Sequence, residues 1–294
     1  VKSSSSSAVK SSNSRDDEKS SSSVKDDSSS SEEVVSSSSL ENASSSSEEP
    51  SSSSSEEILS SSSEETWSFD VSKESYMNSS IEYGSMTDDR DGKTYKTVKI
   101  GEQVWMAENL NYADSAKTTS LKGRSWCFGN VAKNCDVTGR LYTWSAAIDS
   151  VALAKDAENP QTCGYGKTCT LPATVQGICP DGWHLPSKAE LETLVNAVGG
   201  KATAGTALKS GRGWNKDGNG TDEFGFSALP GGYRSGADDE FMSAGERAYF
   251  WLASEAAADK NKASDLALIN NDASVYMKGE WNKKIGSSVR CVQD

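Results

Sequence analysis

The chain has 294 residues, with 30 Lys and Arg against 43 Asp and Glu, and its formal net charge is −13 at pH 7. No basic patch interrupts this acidic balance, which excludes nucleic acid as an expected partner. No apolar run is long enough to cross a bilayer, so no transmembrane segment is predicted. The sequence begins at Val1 without a visible signal peptide. We therefore expect any export signal or lipid-anchored cysteine to lie upstream of this chain.

The first 66 residues form a serine-rich, acidic segment. Residues 1–65 contain five Lys and Arg and fourteen Asp and Glu, and they carry −9 of the net charge. From Ser20 the chain repeats every eight residues, each unit opening with four serines. Such units cannot bury a core. We predict a disordered spacer over residues 1–66, a lead-in over 67–83 and one globular domain over 84–294. Glycosylation of the serines and weak divalent-ion binding by the acid pairs stay open.

The cysteines indicate the compartment. There are six, no two of them form a Cys-x-x-Cys pair, and the chain has one histidine. Zinc sites usually need such close pairs or Cys with His, so disulfides are favoured over a metal site or free thiols. Two short loops can close locally, which leaves one long-range pair. The predicted pairs are Cys127 with Cys135, Cys163 with Cys169, and Cys179 with Cys291. Disulfides indicate an oxidising environment outside the cytosol.

Residues 179–200 predict a turn followed by a capped helix. Residues 180–182, Pro-Asp-Gly, have turn chemistry, and Ser187 with Glu190 forms a capping box. Gly199 and Gly200 end the helix. His184 is flanked by apolar residues, so we expect a packed, hydrogen-bonded side chain rather than a catalytic base. The buried helix face is predicted to comprise Leu191, Leu194, Val195 and Val198.

The remaining elements are short. Residues 93–100 alternate like a strand, and Gly101-Glu102 predicts a hairpin turn into a partner strand over 103–107. A turn is expected over residues 87–92, a loop over 154–177, and helices from Ser145 and over 202–209. Other predicted strands cover residues 125–128, 139–144, 226–229, 248–251, 265–269 and 288–292. Few helices, many short strands and disulfide-bonded loops indicate an α+β domain.

Several blocks in this domain resemble one protein family. They are DDRDGKTYKTVKIG (88–101), WMAENLNY (105–112), GRLYTW (139–144), CPDGWHLPS (179–187), GFSALPGGYR (225–234) and SVRCV (288–292). In this order they resemble the Fibrobacter succinogenes major paralogous domain. The resemblance implies an exported, often surface-linked protein of a fibre-degrading bacterium. Adhesion to plant fibre is suggested for that family, and no family-wide activity carries over.

A wider resemblance concerns the fold. Residues 183–187 before a capped helix, together with residues 289–292 at the end, are similar to C-type-lectin-like folds, including formylglycine-generating-enzyme-like domains. In such a fold a late cysteine strand is bonded to an earlier element, which agrees with pairing Cys179 and Cys291. The resemblance implies a C-type-lectin-like domain with short strands and one or two main helices.

Three segments are candidates for calcium, and one of them is the acidic run of Asp88, Asp89 and Asp91. A Gly-rich loop presents oxygen side chains from Asp217, Asn219, Thr221, Asp222 and Glu223. Calcium needs several oxygens on such a bent backbone, and an Asx-rich turn is the alternative. The segment 281–283, Trp-Asn-Lys, resembles the Trp-Asn-Asp motif of true C-type lectins. A lysine in the third position opposes calcium there. Calcium is thus the one candidate cofactor.

Aromatic rings in late, loop-rich segments are candidate sugar platforms, because a flat ring matches the C–H face of a pyranose. These residues are Trp214, Tyr233, Trp251 and Trp281, with burial in the core as the alternative.

We therefore expect an exported or cell-surface, non-enzymatic adhesion module that binds plant polysaccharide. The alternatives are a structural component of the outer surface that binds protein, and a glycan-active enzyme, although no carboxylate pair stands out.

Overall fold

The computed structural model describes residues 66–277 and 281–294. Residues 1–65, which contain nearly all of the serine-rich repeats and of the predicted spacer, lie outside the described residues. The lead-in packs onto the domain. Tyr76 is buried, its ring stacks on Trp67 at 5.2 Å between centroids, and its hydroxyl donates to the carbonyl oxygen of Ser68. The Asn78 side chain donates to the carbonyl oxygen of Asp222 at 2.9 Å, which ties the lead-in to a distant loop.

The described residues are mostly sheet with few helices. The helices are α1 (Asn134–Thr138), α2 (Trp144–Ala147), α3 (Ser150–Lys155), α4 (Lys188–Ala197) and α5 (Ala204–Leu208). Single 3-10 turns cover Lys73–Tyr76, Thr119–Leu121 and Phe128–Asn130. The strands are β1 (Gly84–Asp88), β2 (Lys93–Ile100), β3 (Gln103–Met106), β4 (Ser125–Trp126), β5 (Leu141–Tyr142), β6 (Trp183–His184), β7 (Gly231–Arg234), β8 (Phe241–Ala244), β9 (Arg247–Glu255), β10 (Lys262–Ile269), β11 (Trp281–Asn282) and β12 (Val292–Gln293). None of these helices has the length and apolar character of a membrane span.

Two five-stranded sheets and one strand pair organise the described residues. The first sheet has the order β1-β2-β3-β12-β6, and the second has β11-β10-β9-β7-β8. Strands β4 and β5 pair separately. Neighbouring strands are antiparallel, except that β7 runs parallel to β9. The last strand, β12, therefore lies between β3 and β6, so the end of the chain completes the first sheet.

The predicted hairpin is confirmed. Strands β2 and β3 pair antiparallel with Ile100 opposite Gln103, and Gly101 has a φ of 61°, as the tight turn requires. The turn predicted from residue 87 begins later, because Thr87 and Asp88 end β1 and pair with β2.

The capping box and its helix are also confirmed. Ser187 Oγ accepts from the Glu190 N–H at 3.2 Å, while a Glu190 carboxylate oxygen accepts from the Ser187 N–H at 2.8 Å. Leu191, Leu194 and Val195 of α4 are buried, as predicted. His184 bridges Glu190 and Asp294, with ring nitrogens 2.7 and 2.6 Å from their carboxylate oxygens. It therefore links β6, α4 and the end of β12.

Three local predictions were wrong. The short helix begins at Trp144 because Thr143, not Ser145, caps it, with Thr143 Oγ1 accepting from the Ala146 N–H at 3.3 Å. Helix α3 lies partly in the predicted loop and is capped by Asp149 in a left-handed conformation. The segments 226–229 and 288–292 form isolated bridges, apart from Val292 in β12.

All three predicted disulfides are present, and they link Cys127 with Cys135, Cys163 with Cys169, and Cys179 with Cys291. The long-range bond connects the turn before β6 to the residue before β12. Cys179 and Cys291 are both fully buried in an apolar cluster that also contains Trp183. This bond fixes the C-terminal segment to the first sheet.

Arg290 is a buried cation beside this bond. Its side chain is 2% exposed and donates to Asn109 Oδ1 at 2.7 Å, and to the carbonyl oxygens of Phe226 and Ser227. Burial lowers the pKa of Arg290 to about 9. The contacts join the C-terminal segment to the loop ahead of β7.

Candidate functional site

Two of the predicted sugar platforms lie in the core. Trp214 is 1% exposed and Trp251 is fully buried. Their indole N–H groups donate to the carbonyl oxygens of Ala228 and Tyr142, at 3.0 and 2.7 Å. A sugar platform needs an exposed ring face, so the prediction was wrong for these two residues.

The structure brings the other two predicted sugar platforms, Tyr233 and Trp281, together. Tyr233 and Trp281 are half-buried and lie edge to face, with ring centroids 5.4 Å apart. Tyr249 stacks on Trp281 at 4.3 Å and is itself buried. The three rings therefore form a packed aromatic cluster with one stacked pair and two edge-to-face contacts. Tyr233 faces this cluster, while its neighbour Arg234 lines a groove.

The predicted calcium loop uses its oxygens internally. Asn219 Oδ1 accepts from the Trp214 N–H at 2.8 Å. The Asp222 carboxylate is buried and accepts from the Ser227 N–H and hydroxyl at 2.7 and 2.6 Å. Burial raises the pKa of Asp222 to about 6. Both side chains thus accept from backbone N–H groups five residues away, so these oxygens are used to hold the loop itself.

The other three side chains of the calcium prediction, Asp217, Thr221 and Glu223, are exposed. Across residues 66–277 and 281–294, no group of three or more His, Cys, Asp or Glu side chains is placed to hold a metal ion. The loop does not gather the five oxygens, because Asn219 Oδ1 and the buried Asp222 carboxylate already accept hydrogen bonds from Trp214 and Ser227. Calcium at this loop therefore stays a prediction, without a preformed group of acidic ligands among the described residues.

The lysine of the Trp-Asn-Lys segment holds the small disulfide loop in place. Lys283 Nζ is buried and donates to the carbonyl oxygens of Gly164 and Lys167 at 3.3 and 3.0 Å, and it forms an ion pair with Glu255. The other Glu255 oxygen accepts from the Cys169 N–H at 3.1 Å. Lys283 and Glu255 thus attach the loop closed by the Cys163–Cys169 bond, here called the stapled turn, to the second sheet.

A groove of about 580 Å³ opens beside the stapled turn. This volume is within the range of sites that bind small molecules and short oligomers. Its wall is formed by strands β4 and β7, the stapled turn and the segment after β11. The side chains that give it chemical character are Arg124, Trp126, Tyr165, Lys167, Arg234 and Lys284.

Two aromatic rings in the groove are each paired with a cation. The Arg234 guanidinium lies over Trp126, 3.9 Å from the ring centroid, and it also pairs with Asp239 at 2.6 Å. Lys284 Nζ lies 4.2 Å from the ring centroid of Tyr165, which is 47% exposed. No acceptor for the Trp126 indole N–H occurs among the described residues. The groove thus offers one exposed ring and one free indole donor.

The groove carries more positive than negative charge. Arg124, Lys167 and Lys284 are exposed, and none has a carboxylate partner within the part of the chain that the structure describes. Asp239 is the single acid among the described lining residues, and it is paired with Arg234. A net cationic groove is therefore set in a protein whose formal charge is −13.

The model of one protein family, described as the Fibrobacter succinogenes major domain, matches residues 98–293. The chain belongs to this family. The groove lies wholly within the matched residues, so it is part of the Fibrobacter succinogenes major domain itself. No curated protein and no solved structure matches the chain.

Sequence reasoning missed the two aromatic residues of the groove in this Fibrobacter succinogenes major domain. Trp126 was assigned to a short strand and Tyr165 to a loop. One signal for Tyr165 was available, because it lies between Gly164 and Gly166 in a disulfide loop whose cysteines have a sequence separation of only 6. Such a short, closed turn leaves little apolar surface nearby to cover the ring.

Replacing Lys283 with methionine is expected to lower the free energy of unfolding by about 2 kcal/mol, because two carbonyl oxygens lose their donor and Glu255 loses its cation. Urea unfolding measures the change. Lys284→Met is the matched control, since Lys284 is exposed and should change stability by less than about 0.5 kcal/mol. Equal changes in the free energy of unfolding for the two substitutions would contradict the anchoring role of Lys283.

Proposed function

We propose that this Fibrobacter succinogenes major domain is an exported or cell-surface binding module, without catalytic activity, whose groove recognises plant polysaccharide. The observation that carries the proposal is the groove itself, whose lining includes the exposed ring of Tyr165 and the indole of Trp126. Aromatic faces pack against the C–H face of a pyranose, and nearby donors bind its hydroxyl groups.

The charge of the groove supports a binding role over hydrolysis. Glycoside hydrolysis usually uses two carboxyl groups across the scissile bond. Asp239 is the one acid among the described lining residues, and Arg234 neutralises it. The described wall of the groove therefore does not present the two carboxyl groups that glycoside hydrolysis needs.

Three disulfides support an oxidising location, which an adhesion module at the cell surface would occupy. We also propose that the arrangement is C-type-lectin-like. The bond between Cys179 and Cys291, which attaches the late strand β12 to the turn before β6, supports this assignment.

A pull-down with insoluble plant polysaccharides, with and without calcium, tests the proposed function. The full chain should be retained, and Tyr165→Ala should weaken retention at least about fivefold through the lost stacking surface. Tyr276→Ala is the matched control, because Tyr276 is also exposed, at 37%, but does not line the groove. No retention of the parent protein on any polysaccharide would contradict the proposal.

A further inference from the structure

We infer that the ligand of the groove is an acidic polysaccharide whose uronate carboxylates are bound by Arg124, Lys167 and Lys284. This inference rests on the proposed function and specifies the class of polysaccharide. The evidence for it is the positive charge of the groove, because these three side chains line the groove and have no carboxylate partner among the described residues.

The three cations come from separate parts of the fold. Arg124 precedes β4, Lys167 belongs to the stapled turn, and Lys284 follows β11. Like charges that converge in one groove repel each other unless an anion lies between them. In a chain with 43 acidic residues, exposed cations have many opportunities for pairing. Their convergence around a concave surface therefore indicates an anionic ligand.

The buried framework holds two of these cations in place. The carbonyl oxygen of Lys167 accepts from Lys283 Nζ at 3.0 Å, so the backbone that carries Lys167 is fixed. Lys284 follows Lys283 directly, and its N–H donates to Asn282 Oδ1 at 3.0 Å. Both backbones are thus held before a ligand arrives, which lowers the entropy cost of binding.

The position of Lys284 over the Tyr165 ring suits a uronate residue. Its Nζ is 4.2 Å from the ring centroid, so a charged group lies next to an exposed aromatic surface. A uronate pyranose combines an apolar C–H face with a carboxylate at its edge. Such a sugar can lie against the exposed ring while its carboxylate pairs with the ammonium group. A neutral pyranose would use the ring and leave the cations unpaired.

Titration of the full chain with polygalacturonate, and with the same polymer fully methyl-esterified, tests the inference. Isothermal calorimetry should show binding to the acidic polymer and at least about tenfold weaker binding to the neutral ester. Affinity for the acidic polymer should fall as salt is raised, because exposed charge pairs are screened.

The double variant K167Q/K284Q should bind polygalacturonate about three- to tenfold more weakly than the parent. K99Q/K188Q is the matched control, since it removes the same charge from exposed lysines that do not line the groove. Equal binding of the acidic and esterified polymers would overturn the inference but leave the proposed function standing. Equal losses in both double variants would overturn the assignment to the groove. Binding to neither polymer nor to any other polysaccharide would overturn both.

Discussion

Replacing Cys179 and Cys291 together with alanine is expected to lower the free energy of unfolding by about 5 kcal/mol. The bond closes a loop with a sequence separation of 112 residues, so its removal greatly increases the conformational freedom of the unfolded chain. It also releases β12, which lies between β3 and β6 in the first sheet. Guanidinium unfolding under oxidising conditions measures the loss.

The stapled turn provides the control for this disulfide prediction. The double substitution of Cys163 and Cys169 with alanine opens a loop with a sequence separation of only 6 residues, and we expect a loss of about 2 kcal/mol. The difference between the two variants measures the combined effect of loop length and of the attachment of β12. Equal losses would show that the long-range bond does not determine the stability of the domain.

Replacing Asp265 with asparagine is expected to stabilise the protein at neutral and higher pH but not in acid. Asp265 lies in β10 opposite Trp251 and is 7% exposed. No cation pairs with its carboxylate among the described residues, and burial raises the pKa of Asp265 from 3.8 to about 7. Below about pH 4 the carboxyl group is protonated in both the folded and the unfolded state, so it has no pH-dependent effect.

Between about pH 4 and pH 7 the unfolded chain loses this proton while the folded protein keeps it. Folding is then opposed by about 1.4 kcal/mol for each pH unit, which amounts to about 4 kcal/mol above pH 7. The advantage of Asp265→Asn over the parent should therefore grow by about that amount from pH 4 to pH 8. Urea unfolding at a series of pH values measures it. An advantage that does not change with pH would contradict the burial of a charged Asp265.

Asp114→Asn gives a control of opposite sign. Hydrogen bonds from the backbone N–H groups of Lys117 and Ala116 lower the pKa of Asp114. Its contribution to stability is present above the unfolded pKa and is lost as the pH falls through the lower folded value. The asparagine variant should therefore lose stability relative to the parent at neutral pH and not gain it.

The elements that sequence reasoning predicted well depend on local chemistry. The hairpin follows from alternating residues around Gly101, and α4 follows from the capping box of Ser187 and Glu190. The disulfides followed because two cysteine pairs could close locally and left Cys179 with Cys291. In each case residues close in sequence, or a small number of possible pairs, limit the structure.

The features that sequence reasoning predicted poorly depend on contacts between residues that are far apart in the sequence. Trp214 and Trp251 were candidates for the surface because their segments are rich in loops, yet the carbonyl oxygens of Ala228 and Tyr142 hold their indoles in the core. Asn219 and Asp222 have the spacing of cation ligands, but backbone and hydroxyl donors bond to their oxygens, and calcium there stays a prediction.

The groove was missed for a similar reason. Arg234 is separated from Trp126 by more than a hundred residues in sequence, and so is Lys284 from Tyr165, but each pair is in contact across the groove. Sequence spacing gives no sign of such pairs. Only the sheet order, with β7 and β11 in the second sheet and β4 paired to β5, brings them together.

NMR titration of the full chain with oligogalacturonate, observed through the tryptophan indole N–H signals, shows directly whether an acidic polysaccharide binds in the groove. The Trp126 signal should shift in a saturable way, because Trp126 lines the groove and its indole N–H has no acceptor among the described residues. The signals of Trp214 and Trp251 should not move, since both indoles are buried and hydrogen-bonded within the core. Saturable shifts elsewhere with an unchanged Trp126 signal would contradict a polysaccharide site in this groove.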